Sequence, residues 1–212
     1  MNFASVADQL RQAIQEPLPG PEARTRLSPG GRPRQGPPAH KRPRQAAVLA
    51  LVENRGETPY LLFIERPPYD GVHGGQIAFP GGKVEPADLH IAHTALRETE
   101  EEIGAAPSQI ELLGALTELY IPPSDFQVYP FLGLAAQPLA LRRQKSEVAQ
   151  IHRIPLPLLQ DQAAFCHTTV ATRKESLRVP AYQAQGVTIW GATAMILCEL
   201  LALLPAVPPR PS

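Results

Sequence analysis

At 212 residues the chain is long enough for one substantial hydrophobic core and too short for two domains of average size, so a single domain is expected. Lys plus Arg and Asp plus Glu both number 20, a balance that excludes whole-molecule attraction to nucleic acid, an anionic membrane or an acidic substrate. The two cysteines, Cys166 and Cys198, lie in apolar or mixed runs, as small buried hydrophobes of a reducing compartment do, and argue against a disulfide framework.

The first 17 residues carry Asp8 and Glu16 and no secretory-type apolar run, so a cytoplasmic location is expected. Phe3, Val6, Leu10 and Ile14 recur at helical spacing until Pro17, Pro19, Gly20 and Pro21 end the pattern, which predicts a short N-terminal helix. Residues 17–43 turn to proline and glycine, and from Arg24 to Arg44 there are seven Lys or Arg and no carboxylate. This basic arm reads either as a solvated linker that cannot bury enough apolar surface to fold alone, or as a strip whose arginines cross a site and meet phosphates. The expected division is an arm over residues 1–45, a domain over 46–204 and a short Pro-rich tail over 205–212.

Residues 46–52 and 60–65 are apolar runs rich in Val, Leu and Ile, separated by Asn54, Gly56 and Pro59, and predict a hairpin of buried strands. Another strand over 76–79 runs into Pro80-Gly81-Gly82, a turn signal, after which residues 89–104 follow helical periodicity. Further strands are expected over 110–119, 127–135 and 170–180. Residues 187–204 contain Glu199 and fall short of the ~20 clean apolar residues that cross a bilayer, so they read as a closing buried helix, with Trp190 as a core aromatic. Strands mixed with two substantial helices predict an α/β sandwich.

On the 89–104 helix, at ~100° per residue, Leu89, Ala92, Leu96, Thr99 and Ile103 fall within an arc of about 80° that faces the core. Glu98, Glu101 and Glu102 fall within about 100° of one another, nearly opposite that stripe. Like charges at this spacing cost a helix a few tenths of a kcal/mol per pair unless something positive sits against them. A hard divalent cation such as Mg²⁺ or Mn²⁺, which prefers oxygen ligands, supplies that charge, whereas a bare acidic run would be a solvated face. Arg97 lies about 90° off this face and can pair with Glu101 one turn on.

The segment 82–105, with Arg97-Glu98-Thr99-Glu100-Glu101-Glu102-Ile103-Gly104, resembles the Nudix box. It departs in two places. The spacing from Gly82 to Arg97 is one residue longer than the common pattern, so the acid between them is Asp88, Glu85 or neither, and Thr99 stands where an aliphatic residue is usual. The lengthened loop resembles the coenzyme A pyrophosphatase branch. So do Arg66 with His73-Gly74-Gly75-Gln76-Ile77-Ala78-Phe79-Pro80-Gly81-Gly82 upstream, and Pro122-Pro123-Ser124, Ser146-Glu147-Val148 and Ile189-Trp190-Gly191-Ala192-Thr193-Ala194 downstream. Pro67 follows Arg66 where that branch has serine, and Gly71 takes the place of its second arginine.

The resemblance implies a Nudix-type α/β/α sandwich with a mixed β-sheet and attack of water on a diphosphate phosphorus. Glu98, Glu101 and Glu102 would hold Mg²⁺ or Mn²⁺, with the Gly81 carbonyl as a further ligand and Arg97 as the residue that orients Glu101. Glu147 is the favoured general base, with Glu118, Glu98 or Glu102 as alternatives. Arg66 is a candidate phosphate contact, or else a surface partner of Glu65 or Glu85. His73 and Gly75 would meet the substrate or set the loop. The implied partner is a small nucleotide substrate like coenzyme A, with no nucleic acid and no membrane, and a homodimer is allowed. Coenzyme A or acyl-coenzyme A would yield phosphopantetheine and adenosine 3′,5′-bisphosphate. Alternatives are hydrolysis of another nucleoside diphosphate derivative, such as ADP-ribose or a dinucleotide, and a catalytically silent nucleotide-binding module.

Overall fold

The computed structural model describes residues 2–27, 36–68, 75–171 and 176–206. Helix α1 (Phe3–Ala13) opens the chain, capped by Asn2, whose side chain accepts the Ser5 amide at 2.9 Å. A one-turn helix α2 (Gly20–Ala23) and a 3-10 turn (Thr25–Leu27) follow. Strand β1 (Arg44–Arg55) is the spine of the molecule. Its alternate residues face opposite sides: Ala46, Ala50 and Val52 join one core cluster, and Ala47, Leu49 and Leu51 join another. Burial on both faces is why this run reads as unbroken apolar sequence.

Strand β2 (Thr58–Glu65) returns antiparallel beside β1, the expected hairpin. Short strands β3 (Ile77–Ala78) and β4 (Gly81–Lys83) precede helix α3 (Ile91–Ile103). Then come β5 (Glu111–Ala115), β6 (Leu119–Ile121), β7 (Phe126–Ala135), β8 (Gln150–Pro155) and the one-turn helix α4 (Leu156–Gln160). β9 (Phe165–Ala171), β10 (Ser176–Ala184) and β11 (Val187–Trp190) lead into α5 (Gly191–Ala202).

Among the described residues, eight strands form one sheet in the order β3-β2-β1-β7-β5, with β4 joined to β1, β6 to β7 and β8 to β2. The β1–β7 pair is parallel and the others are antiparallel, so the sheet is mixed. Helix α3 covers one face through Ala95 and Ile103. Helices α1 and α5 and the second, three-stranded sheet β11-β10-β9 cover the other. The result is the α/β/α sandwich expected.

Four local expectations are corrected. Pro80-Gly81-Gly82 is not simply a turn, because Gly81 and Gly82 pair with Val48 and Ala47 as β4. The strand expected over 110–119 breaks into β5 and β6, both on β7. The strand over 170–180 is instead a pair, with Phe165–Ala171 against Ser176–Ala184. Residues 187–190 are not helical: the β-branched Val187, Thr188 and Ile189 pair with β10, and the helix starts only at Gly191. Trp190 sits at that junction as the helix N-cap, half-buried rather than in the core.

The basic arm is corrected as well. Phe3, Val6 and Leu10 of α1 and Leu27 are buried in the same cluster as α5, so residues 2–27 belong to the packed body that was expected to begin at residue 46. Arg24 is 4% exposed and pairs with Glu199 of α5, which is 0% exposed. The same guanidinium donates to the carbonyls of Thr117 and Glu118, and Glu199 accepts the Thr117 amide at 3.1 Å. Arg26 lies 4.7 Å over the Phe165 ring and donates to the Tyr182 hydroxyl and to the Cys198 sulfur. These two arginines therefore serve the core and are spent on carbonyls, a carboxylate and rings, not on phosphate. Arg32 and Arg34 lie outside the described residues. Both cysteines are free thiols, Cys198 buried and Cys166 half-buried. No described helix is long and apolar enough to cross a membrane.

Replacing Arg24 by Met should cost about 3–5 kcal/mol in urea unfolding, because Glu199 would be left buried and unpaired; combining it with Glu199→Leu should recover most of that loss. A single variant as stable as the parent would show that the pair does not hold the arm.

Candidate active site

Helix α3 begins at Ile91, two residues later than the periodicity suggests, with the His90 ring accepting the His93 amide at 3.1 Å. Leu89 is 86% exposed and takes no part in the core stripe. A tight turn removes it: the Asp88 amide bonds the Glu85 carbonyl at 3.0 Å, and the Asp88 carboxylate accepts the Glu85 amide at 2.8 Å. Ala95, Thr99 and Ile103 are fully buried on the core side. Thr99 is tolerated there because its hydroxyl donates to the Ala95 carbonyl at 2.7 Å.

The opposite face is not uniformly exposed. Glu102 is 2% exposed, a correction to the helical-wheel reading. Of the three motif glutamates it lies nearest the core stripe on the wheel, and β4 closes over it. Its Oε2 accepts the Gly81 amide at 2.8 Å. Glu98 is part-buried, and its carboxylate lies against Gly82, where a Cβ would stand 2.4 Å from it. Glu101 is 55% exposed and points to Arg97, whose Nη1 is 3.2 Å away.

Glu147 is brought to this face by a backbone docking. The last carbonyls of a helix lack partners within it, and here Ile103 and Glu102 take the amides of Arg142 at 2.9 Å and Gln144 at 2.8 Å. Val148 is then buried, and the Ala149 amide bonds the Glu65 carbonyl at 2.8 Å. As a result, carboxylate oxygens of Glu98, Glu102 and Glu147 lie within 4.8 Å of one another. Burial pushes the Glu102 carboxyl up to about 7, with the charges of Glu98 and Glu147 adding to the rise and the Gly81 amide and Arg66 opposing it. Burial also raises the Glu98 carboxyl, against the pull of Arg97. Three hard oxygen donors at this spacing, two of them raised, fit a divalent cation, and Gly82 leaves the space that the Glu98 carboxylate fills.

Arg97 organises the helix start. Its Nε bonds Asp88 at 2.9 Å, its Nη1 bonds Glu98 at 3.0 Å, and its Nη2 bonds the Lys83 carbonyl at 3.2 Å. Asp88 is the acid of the lengthened loop, not Glu85. It is almost wholly buried, takes the Thr94 hydroxyl at 2.7 Å, and is held well below the usual carboxylate range chiefly by its hydrogen bonds from Arg97.

Residues 42–171 match the family model described as NUDIX domain. The uncharacterized Nudix hydrolase NudL of Shigella boydii is 36% identical over 161 residues, covering 74% of this chain and 81% of that protein. The protein of the same name from Photorhabdus laumondii is 36% identical over 170 residues, covering 78% and 90%. The chain belongs to the Nudix family. Among solved structures, a MutT/nudix family protein from Enterococcus faecalis is similar in fold, with a TM-score of 0.51 at 19% identity over 78% of this chain and 63% of that one.

Around the Nudix helix, Arg66 follows β2 and donates from Nη2 to the Gly81 carbonyl at 3.3 Å. Glu65, one of the two surface partners considered for it, is bound to His152 at 3.0 Å. Glu118 is exposed and lies outside the carboxylate cluster. Gly75 closes the loop after Arg66, its amide bonding the Pro67 carbonyl at 3.2 Å. His73 and Gly71 lie outside the described residues. Thr94, the support of Asp88, has no signature in the sequence, since a contact across a turn leaves no periodic signal.

The two glycines before the Nudix helix should respond differently to alanine. At Gly81, φ is +149° and a Cβ would stand 2.3 Å from the Ala47 carbonyl oxygen, so Gly81→Ala should lose at least about 2 kcal/mol of stability. At Gly82 the obstacle is the movable end of Glu98, so Gly82→Ala should stay within about 1 kcal/mol of the parent while shifting that carboxylate. Matching urea midpoints for the two variants would contradict this geometry.

Proposed function

We propose that this Nudix pyrophosphohydrolase cleaves the diphosphate of coenzyme A or its acyl derivatives in the presence of Mg²⁺ or Mn²⁺. The observation that carries the substrate reading is that two separate segments resembling the coenzyme A branch meet in space: the Thr193 hydroxyl donates to the Ile77 carbonyl at 3.0 Å. The lengthened loop supports the same reading, because its acid, Asp88, binds Arg97 despite the extra residue.

In this reading Glu98 and Glu102 would hold the cation, the Gly81 carbonyl would be a further ligand, and Glu101 would add an exposed carboxylate from the Arg97 side. Held there, a divalent cation would neutralise charge that builds on the phosphate oxygens. Glu147 is exposed while its two neighbours are sunk, and it accepts the proton of the attacking water. The water oxygen bonds to phosphorus as the bridging P–O bond breaks, leaving phosphopantetheine and adenosine 3′,5′-bisphosphate. Arg97 acts by fixing Glu98 and Glu101. Gly71, standing where the branch has a second arginine, favours the alternative of another nucleoside diphosphate derivative such as ADP-ribose.

Two experiments test the proposal. Glu98→Gln and Glu102→Gln should each lower turnover by at least ~100-fold and weaken Mn²⁺ binding, Glu147→Gln should lower turnover with a smaller loss of Mn²⁺ binding, and Glu101→Gln should have the mildest effect on binding. Normal rates in Glu98→Gln and Glu102→Gln would reject the metal assignment. With product analysis, coenzyme A should be split with kcat/KM above that for ADP-ribose; efficient cleavage of ADP-ribose with coenzyme A left intact would promote the alternative.

A further inference from the structure

The segment between β7 and β8 carries Glu147 and is tied down in two stretches. The first is held from the sheet: Glu53, 0% exposed, accepts the Leu139 amide at 2.7 Å and Arg153 Nε at 2.7 Å, while Arg153 Nη2 donates to the Leu139 carbonyl at 3.0 Å. One ion pair thus grips both polar groups of the same residue, well ahead of Glu147 in the chain. The second stretch is the turn that holds Glu147 itself. Gln144 hangs by its amide from the Glu102 carbonyl at 2.8 Å, and its own carbonyl accepts the amides of Glu147 at 3.0 Å and Val148 at 2.8 Å. The Arg143 side chain closes this turn from the other direction, its Nη1 donating to the Val148 carbonyl at 3.0 Å. That carbonyl lies ahead of β8, which starts at Gln150. Arg143 is exposed, so its hydrogen bond acts on the turn and not on the core.

We propose that Arg143 is a positioning residue for Glu147: by holding the Val148 carbonyl it fixes the residue that follows Glu147, and with it the direction in which that carboxylate points. This rests on the reading of Glu147 as the group that accepts the proton of the attacking water. Glu147 is exposed, so packing does not aim it and its backbone must. Proton transfer requires hydrogen-bond geometry, and a misplacement of about 1 Å costs as much as ~100-fold in rate. The buried Val148 side chain and the two bonds to Gln144 keep the turn docked on the helix end. The Arg143 bond adds the constraint on the far side of Glu147, so the carboxylate is bracketed by fixed backbone before and after it. Arg143 therefore acts through the turn, whereas Arg97 acts on the motif glutamates by direct contact.

Amide hydrogen exchange and steady-state kinetics on the full chain test this together, with hydrolysis followed on whichever of coenzyme A and ADP-ribose the parent cleaves faster. In Arg143→Ala the amides of Glu147 and Val148 should exchange about tenfold faster while those of α3 keep the parent's rates. The same variant should lower kcat about tenfold with KM within about twofold of the parent, because substrate binding is untouched. Arg143→Lys, which can still donate to the carbonyl, should recover most of both losses. Lys145 is exposed in the same turn and makes no hydrogen bond or ion pair among the described residues, so Lys145→Gln removes an equal charge and should change neither readout. Introduced into Glu147→Gln, Arg143→Ala should cost less than about twofold more, since a side chain that takes no proton has no aim to lose. Parent exchange rates in Arg143→Ala, an equal loss in Lys145→Gln, or the full loss repeated on top of Glu147→Gln would overturn the positioning role and leave the reading of Glu147 standing. Parent turnover in Glu147→Gln would overturn both.

Discussion

A carboxylate with 2% exposure and two other carboxylates close by is an unfavourable thing to build, and much of this molecule is organised around Glu102. Burial first, and the charges of Glu98 and Glu147 after it, drive its carboxyl up to about 7. What keeps it in place is backbone: β4 lays the Gly81 amide on one oxygen, and the 142–148 segment hangs from the carbonyls of Glu102 and Ile103. Both contacts need close backbone approach, at β4 through the two glycines and at the helix end through Gly104, which turns the chain in the left-handed conformation. The sheet supplies the rigidity, because β4 is paired to β1 and β1 to β7. Such a concentration of negative charge is the arrangement that a cation and a diphosphate together would complete.

The opposite face of the sheet holds a second charged centre with a different purpose. Arg24 and Glu199 lie out of water, and between them they satisfy the Thr117 amide, the Thr117 carbonyl and the Glu118 carbonyl. Those backbone groups lie where β5 stops and β6 has not begun, so the ion pair stands in for ladder hydrogen bonds that the sheet cannot make there. It also joins the two ends of the described chain, the arm and α5, which explains why α1 packs into the same core rather than floating beside it. The two faces thus differ, one gathering sunk and exposed carboxylates beside the Nudix helix and the other burying an ion pair in the core.

How much of this was legible depended on whether the signal was local. The hairpin of β1 and β2, the helix carrying Glu98 to Glu102 and the tie from Arg97 to Glu101 follow from runs, periods and i,i+4 spacing within a few residues. Leu89 misled because a period cannot see the Asp88–Glu85 turn that makes the helix start late. Residues 187–190 misled because an apolar run suits a buried strand as well as a buried helix, and only pairing with β10 distinguishes them. Gly81 and Gly82 read as a turn because nothing in two glycines reveals the strand they lie against.

By itself, the sequence determined the type of chemistry: a run of glutamates one turn apart, an arginine to orient them and a glycine pair ahead of them carry the Nudix resemblance that the family match upholds. It determined the mixed α/β class through its alternation of short apolar runs with amphipathic helices. Only the tertiary structure decided which carboxylates share a site, since Glu147 lies 45 residues from Glu102 and reaches it through the docking of 142–148 on the helix end. It likewise decided that Glu101 stands apart, that Asp88 rather than Glu85 serves Arg97, and that Arg24 is buried against Glu199. The reason is common to all four: charge and hydrogen-bond partners are chosen by distance in space, and for residues far apart in the chain that distance exists only once the core has formed.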